Sequence, residues 1–278
     1  VQLSDLHLTA ADDKSRSEPR LFGRLRGMNE AFRKILATPL LQRADALLVT
    51  GDITDDGSLE AWEVFWGALE AAEISRERVL LVPGNHDVCC LGLRAPKADN
   101  VIEDLARLER GMSLPSRAPS LPWAQKVGED VVIFGLDSSN PGNLSAITNA
   151  VGELGFFQLQ AFARLLKRHK DVPVKLVALH HSPNIPGAEA EEERGLDPTG
   201  VISRLAHEIP ERDRRALRLL CVAHGVRLII HGHLHRAEDR RVNGIRLVGA
   251  PASTEPLPPK DGAAERTAAV VALLLQQR

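Results

Sequence analysis

Five short apolar runs in this chain each end in a cluster of Asp, Asn or His, and no other feature of the sequence constrains its fold as tightly. The clusters are Asp5-Leu6-His7, Gly51 to Asp56, Gly84-Asn85-His86-Asp87, His180 to Pro183, and Gly232-His233-Leu234-His235. Between the runs lie longer segments with apolar residues at helical spacing, such as 28–38 and 58–73. Short apolar runs alternating with amphipathic segments indicate an α/β sheet with covering helices. In open α/β sheets ligands gather beyond the carboxyl ends of the strands. The five polar ends are therefore expected to meet at one site.

The remaining segments extend this pattern. Strands are expected within 130–139 and 174–181, with a helix from about Gly155 to Lys170 between them. Asn243-Gly244 between two alternating runs signals a hairpin. After the proline-rich Pro256 to Pro259, the run from Thr267 to Leu275 reads as a last strand. With no repeat and no linker, residues 1–278 read as a single domain. Within it, 184–224 opens with Pro, Gly and Glu and continues as amphipathic helix, suited to a lid, a homodimer surface or plain packing.

Composition excludes several classes of function. A hydrophobic share of 44% supports a substantial core, and a net charge of -2 gives no general basic field for nucleic acid or an anionic membrane. The longest apolar stretch, 268–275, falls far short of the roughly 20 residues that span a bilayer. Three cysteines, with Cys89 and Cys90 adjacent, form no disulfide framework, so a cytoplasmic location is expected. Trp62, Trp66 and Trp123 read as core residues.

Taken singly, each cluster has a plain structural explanation: Asp5 could cap a helix, Gly51-Asp52 could form a tight turn, and a buried histidine is commonly just hydrogen-bonded. Taken together, carboxylates, imidazoles and an amide oxygen without thiolate suit Mn, Fe, Zn or Co, with enough ligands for two ions.

The ordered set Asp5-x-His7, Gly51-Asp52-x-x-Asp55, Gly84-Asn85-His86-Asp87, His180 and Gly232-His233-x-His235 resembles the calcineurin-like metallophosphoesterases. In its motifs the chain is most similar to class III cyclic nucleotide phosphodiesterases and bacterial glycerophosphodiesterases. The resemblance implies a two-sheet β-sandwich flanked by helices, an α/β fold with a binuclear metal site at the sheet edge. It implies that Asp5, His7, Asp52 and His235 hold one divalent or trivalent ion, that Asp52, Asn85, His180 and His233 hold the other, and that Asp52 bridges them. By the same resemblance His86 stabilises phosphoryl charge or protonates the leaving oxygen, with the Asp55 carboxylate as its partner. A shift of one residue would select His181 in place of His180; otherwise His181 lines the pocket, where Asn85 also meets substrate. Arg24, with Arg20 and Arg26, could meet an anionic group, although the run 14–27 reads more readily as a solvated basic loop, since charge runs are usually surface.

The implied reaction is hydrolysis of a small phosphoester, nucleotide or phospholipid-derived, by a metal-bridging hydroxide. With no Tyr in the chain, the tyrosine-ligated iron of purple acid phosphatases cannot form. Asp56 and Asp87 stand where Ser/Thr phosphoprotein phosphatases carry Arg and Glu. A nuclease and a non-catalytic metal-binding scaffold are the alternatives. A nuclease would need a basic groove, and a scaffold would not need every ligand position filled. Gly232 is expected to end its strand and send His233 and His235 to different ions, leaving His231 in the core or bracing a neighbour.

Overall fold

The structure, a computed structural model, describes residues 1–16, 25–88, 101–113, 120–139, 150–183 and 209–255. In chain order its elements are β1 (Gln2–Leu3), α1 (Met28–Leu36), α2 (Pro39–Gln42), β2 (Leu47–Thr50), α3 (Leu59–Ala71), a 3₁₀ turn (Arg76–Arg78) and β3 (Val79–Val82). The chain continues through α4 (Asn85–Val88), α5 (Val101–Ser113), β4 (Trp123–Val127), β5 (Val131–Gly135), α6 (Phe156–Arg168) and β6 (Val174–Ala178). Last come α7 (Glu211–Ala223), β7 (Leu228–His231), β8 (Glu238–Val242) and β9 (Ile245–Gly249).

The strands form two sheets, one of order β1-β2-β3 and one of order β4-β5-β6-β7-β9-β8. The first sheet is wholly parallel, as is the run β5-β6-β7-β9 in the second. Strands covered on both faces need apolar residues at nearly every position, and all four residues of β2 are buried. Leu48 and Val82 from one sheet pack with Trp123, Ile133, Leu176, Ala178 and Ile230 from the other, closing the sandwich. Trp123 Nε1 also donates to the Leu81 carbonyl across the gap, at 2.9 Å.

Helices cover the outer faces because their apolar residues repeat at helical spacing. In α1, Met28, Phe32, Ile35 and Leu36 form one stripe, and Phe32 stacks on Phe65 of α3 at 5.6 Å. On the second sheet, Phe162 and Leu166 of α6 and Leu217 and Cys221 of α7 pack over Val132, Phe134, Val177 and Ile229. The helix–sheet–sheet–helix architecture agrees with the expected two-sheet sandwich.

Two local features fall outside the expectation. β4 pairs antiparallel with β5 as an edge strand, Trp123 opposite Gly135. Its sequence WAQKV lacked an apolar run because only Trp123 is fully covered. Asn85 to Val88, just after the apolar run that ends at Pro83, form one helical turn. The hairpin at Asn243-Gly244 forms as expected between β8 and β9. The expected strand 267–275 and most of 184–224 lie outside the described residues. The described part of that segment ends in α7, a covering helix.

Candidate metal centre

The carboxyl ends of the parallel strands carry an unusual backbone. Asp5 (φ 52), His7 (φ 45), Asp52 (φ 49), His233 (φ 69) and His235 (φ 50) all lie in the left-handed region. Non-glycine residues there cost on the order of 1–3 kcal/mol each and persist only where the surroundings over-determine them. Here main-chain bonds do so. Asp5 N donates to Gly51 O at 3.1 Å, His7 N to Asp52 O at 2.9 Å, and Gly232 N to His180 O at 3.0 Å. The turns bring side chains that a regular strand would send to opposite faces into one pocket.

Close approach is made possible by two glycines. A Cβ on Gly84 would fall 2.2 Å from Asp52 Oδ1, and one on Gly232 would fall 1.8 Å from Ser4 Oγ and 2.6 Å from Asp5 Oδ2. Side chains of the first sheet thus press directly onto the loop backbones.

Three groups of donor atoms result among the described residues, one made of His7, Asp55 and His86 and the other two joined through Asp52. Asp5, His7, Asp52 and His235 present one nitrogen or carboxylate oxygen each, mutually within 4.8 Å, and Asp52, His180 and His233 do the same. Asp52 belongs to both. In the first group His7 Nε2 lies 3.3 Å from His235 Nε2 and 3.8 Å from Asp52 Oδ2, and His235 Nε2 lies 3.4 Å from Asp5 Oδ1. In the second, His180 Nε2 lies 3.3 Å from Asp52 Oδ2, 3.2 Å from His233 Nδ1 and 3.2 Å from Asn85 Oδ1. Metal bonds of about 2.0–2.2 Å to N and O space tetrahedral ligands roughly 3.3–3.6 Å apart. The observed separations fall on or near that spacing, and the donor set is free of thiolate, so the residues fit a pair of divalent ions.

The electrostatics agree with this fit. Burial alone would raise Asp52, yet His180, His86 and His7 hold its carboxyl well below the usual range. Burial alone would lower His180 and His235, yet Asp52 lifts the first to about 9, and Asp5 with Glu255 lifts the second to about 10. The carboxylates therefore set up a negative potential that draws positive charge into the cluster. His7 moves the other way, held well below its ordinary value by burial and then by Arg16 and His86, which keeps a nitrogen lone pair available.

The remaining site residues fall around this core. His180 joins Asp52 and His233, whereas His181 turns away, its ring 4.4 Å from that of His233 and its Nδ1 2.9 Å from Ser138 Oγ. Ser138 Oγ also accepts the main-chain N–H of both His180 (3.2 Å) and His181 (3.0 Å), which fixes this division. His86 stands edge-on to His7 at 4.7 Å, and its main-chain N–H donates to Asp52 Oδ1 at 2.9 Å. His86 and Asp55 are brought side by side. His86 Nδ1 meets the Asp55 main-chain carbonyl at 2.9 Å, while the Asp55 carboxylate faces His7 Nδ1 (3.8 Å) and Arg16 Nε (3.6 Å). The turn at Gly51 to Asp56 sets the Asp55 carbonyl on Nδ1 of the imidazole and keeps a carboxylate oxygen of Asp55 within 4.8 Å of a His86 nitrogen.

His231 is buried with its Nε2 3.2 Å from Glu238 Oε2, apart from the donor groups. Arg20 and Arg24 lie outside the described residues, and Arg26 is exposed.

Several residues beside the site were given no role from the sequence, among them Asp87, the last residue of the Gly84-Asn85-His86-Asp87 cluster. Asp87 accepts from Ile53 N (3.2 Å), Thr54 N (2.8 Å), Thr54 Oγ1 (2.9 Å) and Gly84 N (2.9 Å), tying the loop after β2 to the loop after β3. Burial, and then Asp52, push its carboxyl up to about 6. Ser138, Arg16 and Glu255 belong to no motif. Arg16 falls in the run 14–27 and Glu255 near the proline-rich loop.

Comparison with known proteins agrees with this geometry. Residues 1–237 match the family described as calcineurin-like phosphoesterase. Over 259 residues the chain is 26% identical to the 3',5'-cyclic adenosine monophosphate phosphodiesterase CpdA of Escherichia coli (strain K12), covering 91% of this chain and 75% of that protein. Over 260 residues it is 28% identical to a cAMP/cGMP dual specificity phosphodiesterase of Mycobacterium tuberculosis, covering 91% of this chain and 66% of that one. In fold it is similar to a dimetal phosphatase from Danio rerio, with a TM-score of 0.57 and 16% identity over 90% of this chain and 86% of the other.

Proposed function

Since the chain belongs to the calcineurin-like phosphoesterase family, we propose that it hydrolyses a small phosphodiester, either a 3',5'-cyclic nucleotide or a phospholipid-derived ester. Metal-dependent phosphoester hydrolysis follows from the family and from relatives that are phosphodiesterases. The cyclic nucleotide is carried over from what those relatives are named for. The observation that carries the proposal is the sharing of Asp52 between two buried groups of nitrogen and oxygen donors.

In this reading Asp5, His7, Asp52 and His235 hold one ion, and Asp52, Asn85, His180 and His233 the other. Once bound, Mn, Fe, Zn or Co ions polarise the phosphoryl group and acidify a water molecule. The chain's own groups do the rest. Asp52 sets its negative charge between the two groups, offsetting the mutual repulsion of two cations. Asn85, its Oδ1 turned to His180, keeps its amide N–H groups for a phosphoryl oxygen.

His86 acts on the leaving group. A carbonyl only accepts, so the Asp55 carbonyl holds a proton on His86 Nδ1 and leaves Nε2 to address the substrate. As imidazolium, His86 donates from Nε2 to the departing alkoxide. His181 supports the ring of His233 on the far side, and Arg24 is proposed to meet an anionic substituent.

A kinetic panel with Mn²⁺ tests the proposal, using cyclic AMP, bis(p-nitrophenyl) phosphate and p-nitrophenyl phosphate. The diesters should turn over, and chelation should abolish turnover. Failure to cleave any of the three with metal bound would overturn it.

A further inference from the structure

Arg16 is among the largest fully buried side chains of the described residues, although it sits in a basic stretch that reads as surface. A buried cation is tolerated only when carboxylates surround it, and Arg16 has two. One guanidinium nitrogen, Nη1, pairs with Glu255, and Nε lies 3.6 Å from Asp55 Oδ1. A third contact reaches the donor cluster itself, with Nη2 3.1 Å from His7 Nε2.

These contacts fix proton positions. A guanidinium only donates, so His7 Nε2 accepts, and the ring proton sits on Nδ1, the nitrogen that faces Asp55 Oδ1 at 3.8 Å. His235 repeats the pattern. Its Nδ1 lies 3.0 Å from Glu255 Oε1, and because a carboxylate only accepts, Nδ1 carries the proton. Nε2 then turns into the cluster, toward Asp5 and His7. Each histidine of this half-site thus has a carboxylate behind it, and Arg16 joins the two carboxylates.

The chain brings Glu255 here by clamping the segment before it along the end of β1. Ser253 N donates to Ser4 O at 2.9 Å, Ser4 N donates to Ser253 Oγ at 3.1 Å, and Thr254 Oγ1 donates to Leu6 O at 2.7 Å. Glu255 lies beyond residue 237, where the family match ends.

We propose that Arg16 and Glu255 are positioning residues for the His7 and His235 half of the centre. Glu255 fixes the aim of His235, and Arg16 joins Glu255 to Asp55, the carboxylate that faces His7 Nδ1; the single His7 Nε2 lone pair serves either the Arg16 N–H or an ion, so filling the site exchanges that contact for the ion. The proposal rests on the reading that His7 and His235 hold an ion. A carboxylate behind a ligating histidine raises the ligand's basicity, and losing it weakens binding by about 10–100-fold.

Calorimetric titration of metal-stripped protein with Mn²⁺ tests it, comparing wild type with E255Q, E255A, R16K and H235A. E255A should weaken the ion that H235A removes by about 10–100-fold and leave the other near its wild-type affinity. E255Q, which keeps an acceptor without the charge, should fall between, and R16K, a point charge unable to span two carboxylates, should also weaken the same ion. Adding E255Q to H235A should weaken binding no further. If E255A does not fold, E255Q and R16K carry the comparison, together with nitrogen NMR of the Zn²⁺-loaded wild type, where His235 should show a protonated Nδ1. Unchanged affinity of both ions in the Glu255 and Arg16 variants, or equal weakening of both, would overturn the proposal while two-ion binding by wild type kept the functional reading intact. A wild-type chain that binds no ion would overturn both, and is distinguished by the wild-type titration alone.

Discussion

Asp52 Oδ2 stands 3.3 Å from His180 Nε2, joining the end of the first sheet to the end of the second through one carboxylate. Its other oxygen accepts the His86 main-chain N–H at 2.9 Å, so the carboxylate's orientation is fixed from both sides. Asp52→Asn keeps the shape and removes the charge that two of the donor groups share. Bound metal should fall below two ions per chain, and kcat for bis(p-nitrophenyl) phosphate should drop by about 100-fold or more, the scale of losing a fixed electrostatic partner. Elemental analysis and steady-state kinetics on the same preparation check this.

Two glycine substitutions should move stability in opposite directions. Gly84→Ala would set a Cβ 2.2 Å from Asp52 Oδ1 and 2.3 Å from Asp52 N. Main chain cannot yield as a flexible side chain can, so a loss of about 1–3 kcal/mol is expected, with metal affinity reduced as Asp52 shifts. Gly67, exposed inside α3, has nothing within 4 Å of its would-be Cβ. Gly67→Ala should gain about 0.5–1 kcal/mol from helix propensity. Thermal denaturation of the two variants separates the effects.

His231→Ala should leave two metals bound yet destabilise the protein. The substitution strips Glu238 of its partner at 3.2 Å and leaves that carboxylate buried, which costs about 3–5 kcal/mol when a pair is fully broken. Arg240, also paired with Glu238, reduces the loss. His233→Ala should show the converse, with lost metal and a smaller change in melting temperature. Metal content measured beside melting curves distinguishes them.

Asp213 gives a pH-dependent prediction. Its Oδ2 accepts Leu154 N and Gly155 N, each at 2.9 Å, holding the start of α6 against α7. Burial pushes its carboxyl up, but the Gly155 and Leu154 amides and Arg212 outweigh burial and leave it below the ordinary 3.8. A depressed carboxyl stabilises the fold fully above its unfolded value and loses that contribution as pH falls through the folded one. Asp213→Asn should therefore cost about 1–2 kcal/mol at neutral pH, the worth of charge-assisted hydrogen bonds. The difference from wild type should shrink below about pH 4 in denaturant titrations across pH.

Much of this architecture was legible in the sequence, for a physical reason. Buried parallel strands must be apolar throughout, so a polar residue at the end of such a run marks where the chain leaves the sheet, and five such ends marked the site. β4 escaped notice because an edge strand needs only one well-covered side chain, and Trp123 supplies it. The placing of His180 against Asp52 and of His181 against Ser138 depends on the Ser138 hydroxyl, which no spacing rule locates.

Less visible were groups whose role depends on a single atom's direction. Asp55 sits in the motif, but only the turn reveals that its carbonyl addresses His86 while its carboxylate addresses His7 and Arg16. Arg16 and Glu255 are 239 residues apart. A lone arginine in a basic run gives no sign that it will be drawn inside by two carboxylates, one of them at the far end of the described chain.

Stepwise titration of metal-stripped protein with Mn²⁺, following ion binding and bis(p-nitrophenyl) phosphate hydrolysis in the same samples, tests the two-ion centre most directly. The expected result is saturation at two ions per chain, with turnover appearing as the second site fills. Saturation at one ion or none, or full turnover before any metal is added, would contradict a centre built around a shared Asp52.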